Sequence, residues 1–176
     1  MKNKKIKMNL KGETNMKIGI GCDHNGFELK EIIKNFIEEL GHEVIDYGCY
    51  SIDAIDYPDV AFKVAEGVNK GEIERGILIC GTGIGVCIAA NKFPGIRAAL
   101  AHDVYSAERA QLSNDAQILT MGAQIIGPEV AKKVVSAYLN VEWQGGSQRK
   151  IDKIVKKEKQ FLTEQGQQAI AGSCGC

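Results

Sequence analysis

The feature with the most chemical content is a cysteine that runs directly into a glycine-rich loop. Cys80 closes an apolar segment, and Gly81-Thr82-Gly83-Ile84-Gly85 follows it. Glycines at alternate positions let backbone N–H groups approach a bound anion closely. Neighbouring N–H dipoles also favour a thiolate, which serves as a base or a nucleophile. A cysteine in a buried strand is often only a small hydrophobic residue, so this pattern makes Cys80 a candidate without deciding its role.

The spacing of these glycines argues against two common nucleotide-binding motifs. The pattern is GxGxG after the third predicted strand, whereas a dinucleotide fingerprint is GxGxxG after the first. The chain also lacks a GxxxxGK motif followed by serine or threonine. We therefore expect a small anionic ligand rather than a nicotinamide or a nucleoside triphosphate.

A second candidate lies where the first predicted helix begins. Asp23 and His24 stand side by side in the segment GCDHNG. A helix N-terminus attracts anions, and His24 adds a positive or hydrogen-bonding contact. Asp23 is equally suited to capping the helix, and the sequence leaves both roles open.

A third group follows the fourth predicted strand. Asp103 is placed as a helix N-cap, and His102 is placed to face the same crevice. Asn114 and Asp115 come after the next helix. The three histidines of the chain fall on different segments, so the sequence predicts no metal site.

These residues are embedded in a regular alternation of strands and helices. Five short apolar segments, each followed by an amphipathic helix, predict an α/β fold: a Rossmann-like, doubly wound parallel sheet with helices on both faces. The predicted strands are 17–22, 43–47, 76–80, 96–101 and 117–121, and the predicted helices are 27–40, 60–68, 86–91, 105–112, 128–139 and 148–163. In such a sheet, ligands bind at the carboxyl ends of the strands.

The chain is predicted to form one catalytic domain with short additions. The domain spans residues 16–143, and an appended C-terminal helix (144–164) packs either on a partner subunit or on its own domain. Residues 1–15 are expected to be a flexible extension, and residues 165–176 a disordered tail with two exposed thiols, Cys174 and Cys176. A metal site or a strained disulfide at that pair is the alternative.

Charge and composition exclude several classes of partner. The chain of 176 residues has 22 basic residues (Lys and Arg) and 22 acidic residues (Asp and Glu). With no net charge, no overall electrostatic field favours binding to nucleic acid or to an anionic membrane. No apolar run approaches the roughly 20 residues that span a bilayer, and residues 1–15 lack the apolar core of a secretory signal. The six cysteines form no dense disulfide pattern, so we expect reduced thiols and a cytoplasmic location.

The motifs taken together resemble a known family. GCDHNGFELK, DYPD, GILICGTGIGVCIAANKFPGIRAAL, HDVYSAERAQLSNDAQILTMGA and QGG are similar to segments of ribose-5-phosphate isomerase B and its relatives, over about residues 16–160. The resemblance implies interconversion of an aldose phosphate and a ketose phosphate through a cis-enediolate, without a cofactor. It also implies a homodimer or a dimer of dimers whose sites are shared between subunits.

The resemblance also assigns roles to residues. Cys80 would move the proton. The enediolate oxygen would be stabilised by Thr82 and by the backbone N–H groups of the glycine loop, which consists of Gly81, Thr82, Gly83, Ile84 and Gly85. The positions Asp23, Tyr57 and Asn114 would contact sugar oxygens, and His24 would lie toward the phosphate. Arg149 and Lys150 stand where the family carries a pair of arginines after Gly-Gly, and they would contact the phosphate.

Three positions depart from the ribose pattern and leave the substrate open. Ser113 stands where a ring-opening histidine is usual, Gln124 where an arginine is usual, and only Arg149 and Lys150 represent the arginine pair. A tetrose 4-phosphate cannot close a five-membered ring and needs no ring opener, and the erythrulose-4-phosphate isomerase branch also carries serine there. His102 could instead approach the ring oxygen.

We expect ribose 5-phosphate first, erythrose or erythrulose 4-phosphate second, and allose or galactose 6-phosphate as a further alternative. A non-catalytic sugar-phosphate-binding module is the alternative of another class.

Overall fold

The computed structural model describes residues 15–173, with side chains up to residue 164. Nearly all of the predicted N-terminal extension and the pair Cys174 and Cys176 lie outside this range. The elements are β1 (Lys17–Cys22), α1 (Phe27–Glu39), β2 (Glu43–Asp46), α2 (Tyr57–Asn69), β3 (Arg75–Cys80), α3 (Ile84–Ala90), β4 (Ala98–Leu100), α4 (Val104–Asn114), β5 (Ile118–Gly122), α5 (Pro128–Leu139) and α6 (Gln148–Ser173).

The five strands form one sheet in which every neighbouring pair is parallel. The strand order is β2-β1-β3-β5-β4, with β3 in the centre and buried along its whole length. Apolar residues on both faces of a central strand require cover on both sides, which the helices between the strands provide. This confirms the predicted α/β sheet of five parallel strands.

The helices divide between two core layers. One layer packs α1, α4 and α5 against side chains such as Ile77 and Leu119, and the other packs α2 and α3 against Leu78 and Ile118. Alternate residues of a strand point to opposite faces, so β3 and β5 each feed both layers. None of the helices in the described part of the chain combines the length and apolar character needed to cross a bilayer.

Several element boundaries differ from those predicted, most of them by one or two residues, including the following three. α2 begins at Tyr57 rather than Val60, because Pro58 is well suited to the first turn of a helix. α3 begins at Ile84, directly on the glycine loop. α6 continues to Ser173 rather than ending near Thr163, which makes residues 165–173 helical, and the alanines and glutamines there are compatible with a helix.

Because the strands are parallel, the sheet has two chemically distinct edges. We call the edge formed by Cys22, Asp46, Cys80, Leu100 and Gly122 the carboxyl edge. The opposite edge, where the strands begin, is the amino edge. Loops that follow strands lie at the carboxyl edge, and loops that follow helices α1 to α5 lie at the amino edge.

Candidate active site

The loop between β3 and α3 rests directly on the end of β5. Gly83 has a φ of +77°, and a Cβ added there would lie 2.6 Å from the carbonyl carbon of Met121. A Cβ on Gly122 would lie 2.6 Å from the carbonyl carbon of Thr82. Such contacts are far too short for any side chain, so both positions require glycine. The loop backbone therefore sits against a rigid strand end instead of projecting freely.

Cys80 lies at the mouth of this loop. It is the last residue of β3, it is 4% exposed, and its Sγ accepts a hydrogen bond from the Gly83 N–H at 3.1 Å. An N–H dipole aimed at sulfur stabilises negative charge there. The Ile84 N–H donates to the exposed Thr82 Oγ1 at 3.3 Å. The thiol and the amide donors therefore share one small region, as the sequence predicted.

Two other thiols at this edge pack against each other. The side chains of Cys22 and Cys49 are both buried, with 3.6 Å between their sulfur atoms. Burial, together with the contact to Cys49, raises the pKa of the Cys22 thiol. Cys22 therefore stays protonated and serves as a packing residue, which leaves Cys80 as the thiol beside the glycine loop.

Two further side chains close over the glycine loop. A Cβ on Gly85 would lie 2.7 Å from the ring of Tyr57, so the ring covers the glycine directly. A Cβ on Gly81 would lie 3.1 Å from Oε1 of Gln124, whose backbone N–H donates to the Gly81 carbonyl. The structure thus brings Tyr57 to the loop, as expected, and adds Gln124 beside Cys80.

Asp23 and His24 lie at the same edge. The Asp23 carboxylate is 95% buried and accepts from the Gly26 N–H at 3.1 Å, which is the capping geometry. His24 Nδ1 accepts from the Ile55 N–H at 3.4 Å, and its Nε2 lies 3.1 Å from the Asn25 amide. Asn25 in turn accepts from Gln124 at 3.4 Å. Polar contacts thus link the loops after β1 and β5 around the glycine loop.

His102 is held in place by the end of β5. Its Nε2 accepts a hydrogen bond from the Gly122 N–H at 2.9 Å. That nitrogen is therefore already occupied, and only Nδ1 remains for other contacts. Beside it, hydrogen bonds from Ser106 hold the pKa of the Asp103 carboxyl below its usual value, in keeping with its predicted N-cap role.

Three of the predicted residues lie elsewhere in the chain. Asn114 ends α4 at the amino edge, where its backbone carbonyl accepts from Arg97 at 3.0 Å. Arg149 and Lys150 lie exposed in the first turn of α6, whose first residues share a cleft with Arg97 and Asp115. Within one chain, the structure does not bring these three residues to Cys80.

Sequence reasoning assigned no part in supporting the loop to three residues, although Gln124 was noted as a departure from the usual arginine. Gln124 and Gly122 contact the loop backbone, and the buried Thr120 donates its hydroxyl to the Gly83 carbonyl at 3.0 Å. A lone hydroxyl inside the apolar strand ILTMG was a usable signal, since a buried hydroxyl needs a partner. No cluster of three or more metal-ligating side chains occurs within the described part of the chain.

Comparison with known proteins gives the family. The profile of the family described as Ribose/Galactose Isomerase matches residues 18–154. The chain belongs to this family. A Listeria innocua protein named ribose-5-P isomerase B is 51% identical over 78% of this chain and 93% of its own length. A Pectobacterium atrosepticum D-erythrulose-4-phosphate isomerase is 47% identical over 82% of this chain and 97% of its own length.

The fold of this ribose/galactose isomerase family member agrees with a solved structure. The ribose-5-phosphate isomerase B of Clostridium thermocellum superimposes with a TM-score of 0.81 at 48% identity, over 83% of this chain and 99% of that chain. The residues matched by the family profile, 18–154, contain the glycine loop and, except for Lys17, all five strands. The carboxyl edge described above is therefore part of a protein from a family of sugar isomerases.

Proposed function

We propose that the protein is an aldose–ketose isomerase of phosphorylated sugars, with ribose 5-phosphate to ribulose 5-phosphate as its first expected reaction. The observation that carries this proposal is the contact between Cys80 Sγ and the Gly83 N–H, at the mouth of a glycine loop in a member of a sugar-isomerase family. We place the enzyme in the cytoplasm and in pentose phosphate metabolism, and we expect it to need no cofactor.

The arrangement supports proton transfer through an enediolate. The Cys80 thiolate removes the proton from C2 of the open-chain aldose, and the electron pair moves toward C1, so that the carbonyl oxygen becomes an oxyanion. In this proposal, the Thr82 hydroxyl and the Ile84 N–H, which donates to Thr82 Oγ1 in the free protein, turn to that oxygen and stabilise it when the sugar is bound. The proton of the C2 hydroxyl then passes to the C1 oxygen, C2 becomes the carbonyl as the electron pair moves to C1, and the Cys80 thiol delivers a proton to C1, which gives the ketose.

Binding of the rest of the sugar divides between the two edges. Tyr57, Asp23 and His24 stand at the carboxyl edge beside the loop, with His24 toward the phosphate. Asn114, Arg149 and Lys150 lie at the amino edge and reach a sugar only if a second copy places its amino edge beside this carboxyl edge. A homodimer or a dimer of dimers with shared sites meets that requirement.

A four-carbon sugar is the second candidate substrate. Ser113 replaces a ring-opening histidine, and an open-chain tetrose 4-phosphate does not need one. His102 Nε2 is occupied by the Gly122 N–H, which limits its use as a substitute ring opener. The similarity to an erythrulose-4-phosphate isomerase supports the same alternative.

The test is a comparison of kcat/KM for ribose 5-phosphate, erythrose 4-phosphate, allose 6-phosphate and galactose 6-phosphate. We expect turnover of ribose 5-phosphate. We also expect the kcat/KM for erythrose 4-phosphate, relative to that for ribose 5-phosphate, to exceed the ratio of a ribose-specific site. Thermal stabilisation by sugar phosphates without any isomerisation would instead identify a non-catalytic binding module and would overturn the proposal.

A further inference from the structure

The buried hydroxyl of Thr120 contacts the backbone of the glycine loop directly. Thr120 lies in β5, is fully buried, and pairs with Leu78 of β3 on one side and Leu100 of β4 on the other. Its Oγ1 donates to the Gly83 carbonyl at 3.0 Å. The same carbonyl also accepts from the Cys87 N–H at 3.3 Å, as the first turn of α3 requires.

This contact sets the direction of an amide donor. The carbonyl of Gly83 and the N–H of Ile84 belong to one planar peptide unit and point in opposite directions. Because Thr120 and Cys87 hold the carbonyl inward, the Ile84 N–H points outward, toward Thr82 Oγ1 at the mouth of the site. The preceding peptide directs the Gly83 N–H at Cys80 Sγ. One buried hydroxyl therefore braces the peptide that carries the proposed oxyanion donor, next to the peptide whose N–H contacts the thiol.

The freedom of Gly83 makes such a brace necessary. Its φ of +77° is a conformation that glycine adopts at little cost, but glycine adopts many others equally well. An oxyanion donor stabilises a transition state only if it is oriented before charge develops. We propose that Thr120 is a positioning residue for the enediolate-stabilising loop, acting through Gly83 and without touching the sugar. This inference rests on the proposed isomerase function.

The chain offers a matched control for this role. Tyr138 is also fully buried, and its hydroxyl donates to a backbone carbonyl, that of Ala116, at 2.8 Å. This bond lies at the amino edge, away from the glycine loop. Thr120→Val and Tyr138→Phe each remove one buried hydroxyl with little change in shape, so each should lower Tm by a few degrees.

The kinetic test compares wild type, Thr120→Val, Thr120→Ser and Tyr138→Phe on the best sugar phosphate. We expect Thr120→Val to lower kcat about tenfold with KM within about twofold, because the lost orientation matters in the transition state. Thr120→Ser should recover most of kcat, and Tyr138→Phe should leave it unchanged. Wild-type kcat in Thr120→Val, or an equal loss in Tyr138→Phe, would overturn the inference.

A second readout separates this inference from the proposed function. Hydrogen exchange at the Gly83 amide, followed by NMR, reports the order of the loop without any substrate. Exchange should be faster in Thr120→Val than in wild type or Tyr138→Phe. If wild type turned over no sugar phosphate, the proposed function would fail, while this measurement would still decide whether Thr120 orders the loop. Unchanged exchange in Thr120→Val would reject the positioning role.

Discussion

The two edges of the sheet use their polar groups in opposite ways. At the carboxyl edge, backbone N–H groups of the glycine loop converge on the Cys80 sulfur and on the exposed Thr82 hydroxyl. At the amino edge, polar groups hold the fold together: Arg97 binds the carbonyls of Asn114 and Asp115, and Arg75 binds the carbonyls that end α5. The comparison teaches that, under the proposed function, the residues expected to bind and convert the sugar lie at opposite edges of one chain, with Cys80 at only one of them.

The largest expected effect is the loss of that thiol. Cys80→Ala should lower kcat/KM by about 1,000-fold or more, since it removes the proposed general base while leaving a small apolar side chain in place. Turnover assays and Tm measure the two consequences. Cys87→Ala is the matched control. Cys87 lies in α3, seven residues after Cys80, and its thiol donates a hydrogen bond to the Ala98 carbonyl. Substantial turnover in Cys80→Ala would show that Cys80 is not the general base.

The next effect concerns the stability of the two edges. Lys30 is fully buried and forms an ion pair with Asp46 at 2.8 Å at the carboxyl end of β2, whereas the Arg97–Asp115 pair of the amino edge is more exposed. Asp46→Asn leaves the buried Lys30 charge with only the more exposed Glu31 carboxylate and the Cys49 carbonyl as partners, and it should lower the free energy of unfolding by about 3 kcal/mol. Asp115→Asn should cost no more than about 1 kcal/mol. Equal losses in urea unfolding would contradict this contrast.

The stability that the Lys30–Asp46 pair contributes depends on pH, and the direction of this dependence follows from the pKa of Asp46. Burial alone would raise the pKa of Asp46, but hydrogen bonds from Lys30, the Gly48 N–H and Lys34 outweigh it and hold the pKa below its usual value. A depressed pKa stabilises the folded state above the unfolded pKa of about 4, and that contribution is lost as the pH falls through the folded pKa. Wild type and Asp46→Asn should therefore approach equal stability below about pH 4.

A smaller effect tests whether the two halves meet between subunits. Asn114→Ala should lower kcat/KM about 50-fold by removing a contact to the sugar. Coexpression with Cys80→Ala should restore activity, because in a mixed dimer one site receives both intact residues while the other receives neither. Random pairing predicts about a quarter of the wild-type sites. No recovery in mixed dimers would show that the halves do not combine.

The smallest effect concerns substrate choice at the amino edge. Ser113→His should raise kcat/KM for ribose 5-phosphate about fivefold and leave that for erythrose 4-phosphate nearly unchanged, because only the pentose needs ring opening. The ratio of the two values, measured on one preparation, is the readout. An equal rise for both sugars would mean that the histidine acts in some other way.

The sequence predicted the elements well because their signals are local. Apolar runs marked all five strands, and the helix from Pro128 to Leu139 was placed at its observed bounds by its proline and its periodicity. The start of α2 was missed by three residues, since the loop before it carries no apolar period. The five-stranded parallel sheet followed from the alternation of these elements.

The site could be predicted only in part because its supports are long-range. Cys80 and the glycine loop were evident from one short segment, whereas the contacts of Gln124 with Gly81 and of Thr120 with Gly83 join residues far apart in sequence. The position of Asn114 at the opposite edge follows from strand direction, which the motifs alone did not take into account. Local sequence patterns identify reactive residues, whereas the topology of the fold decides which of these residues lie together within one chain.

The central claim is that Cys80 moves a proton between two carbons of a sugar phosphate. Isomerisation in D₂O followed by NMR of the ketose tests it most directly. The account predicts deuterium at C1 of the product in wild type, because the protonated thiol exchanges with solvent during turnover, and neither product nor deuterium in Cys80→Ala. Ketose formed by Cys80→Ala at the wild-type rate, with or without deuterium at C1, would contradict it.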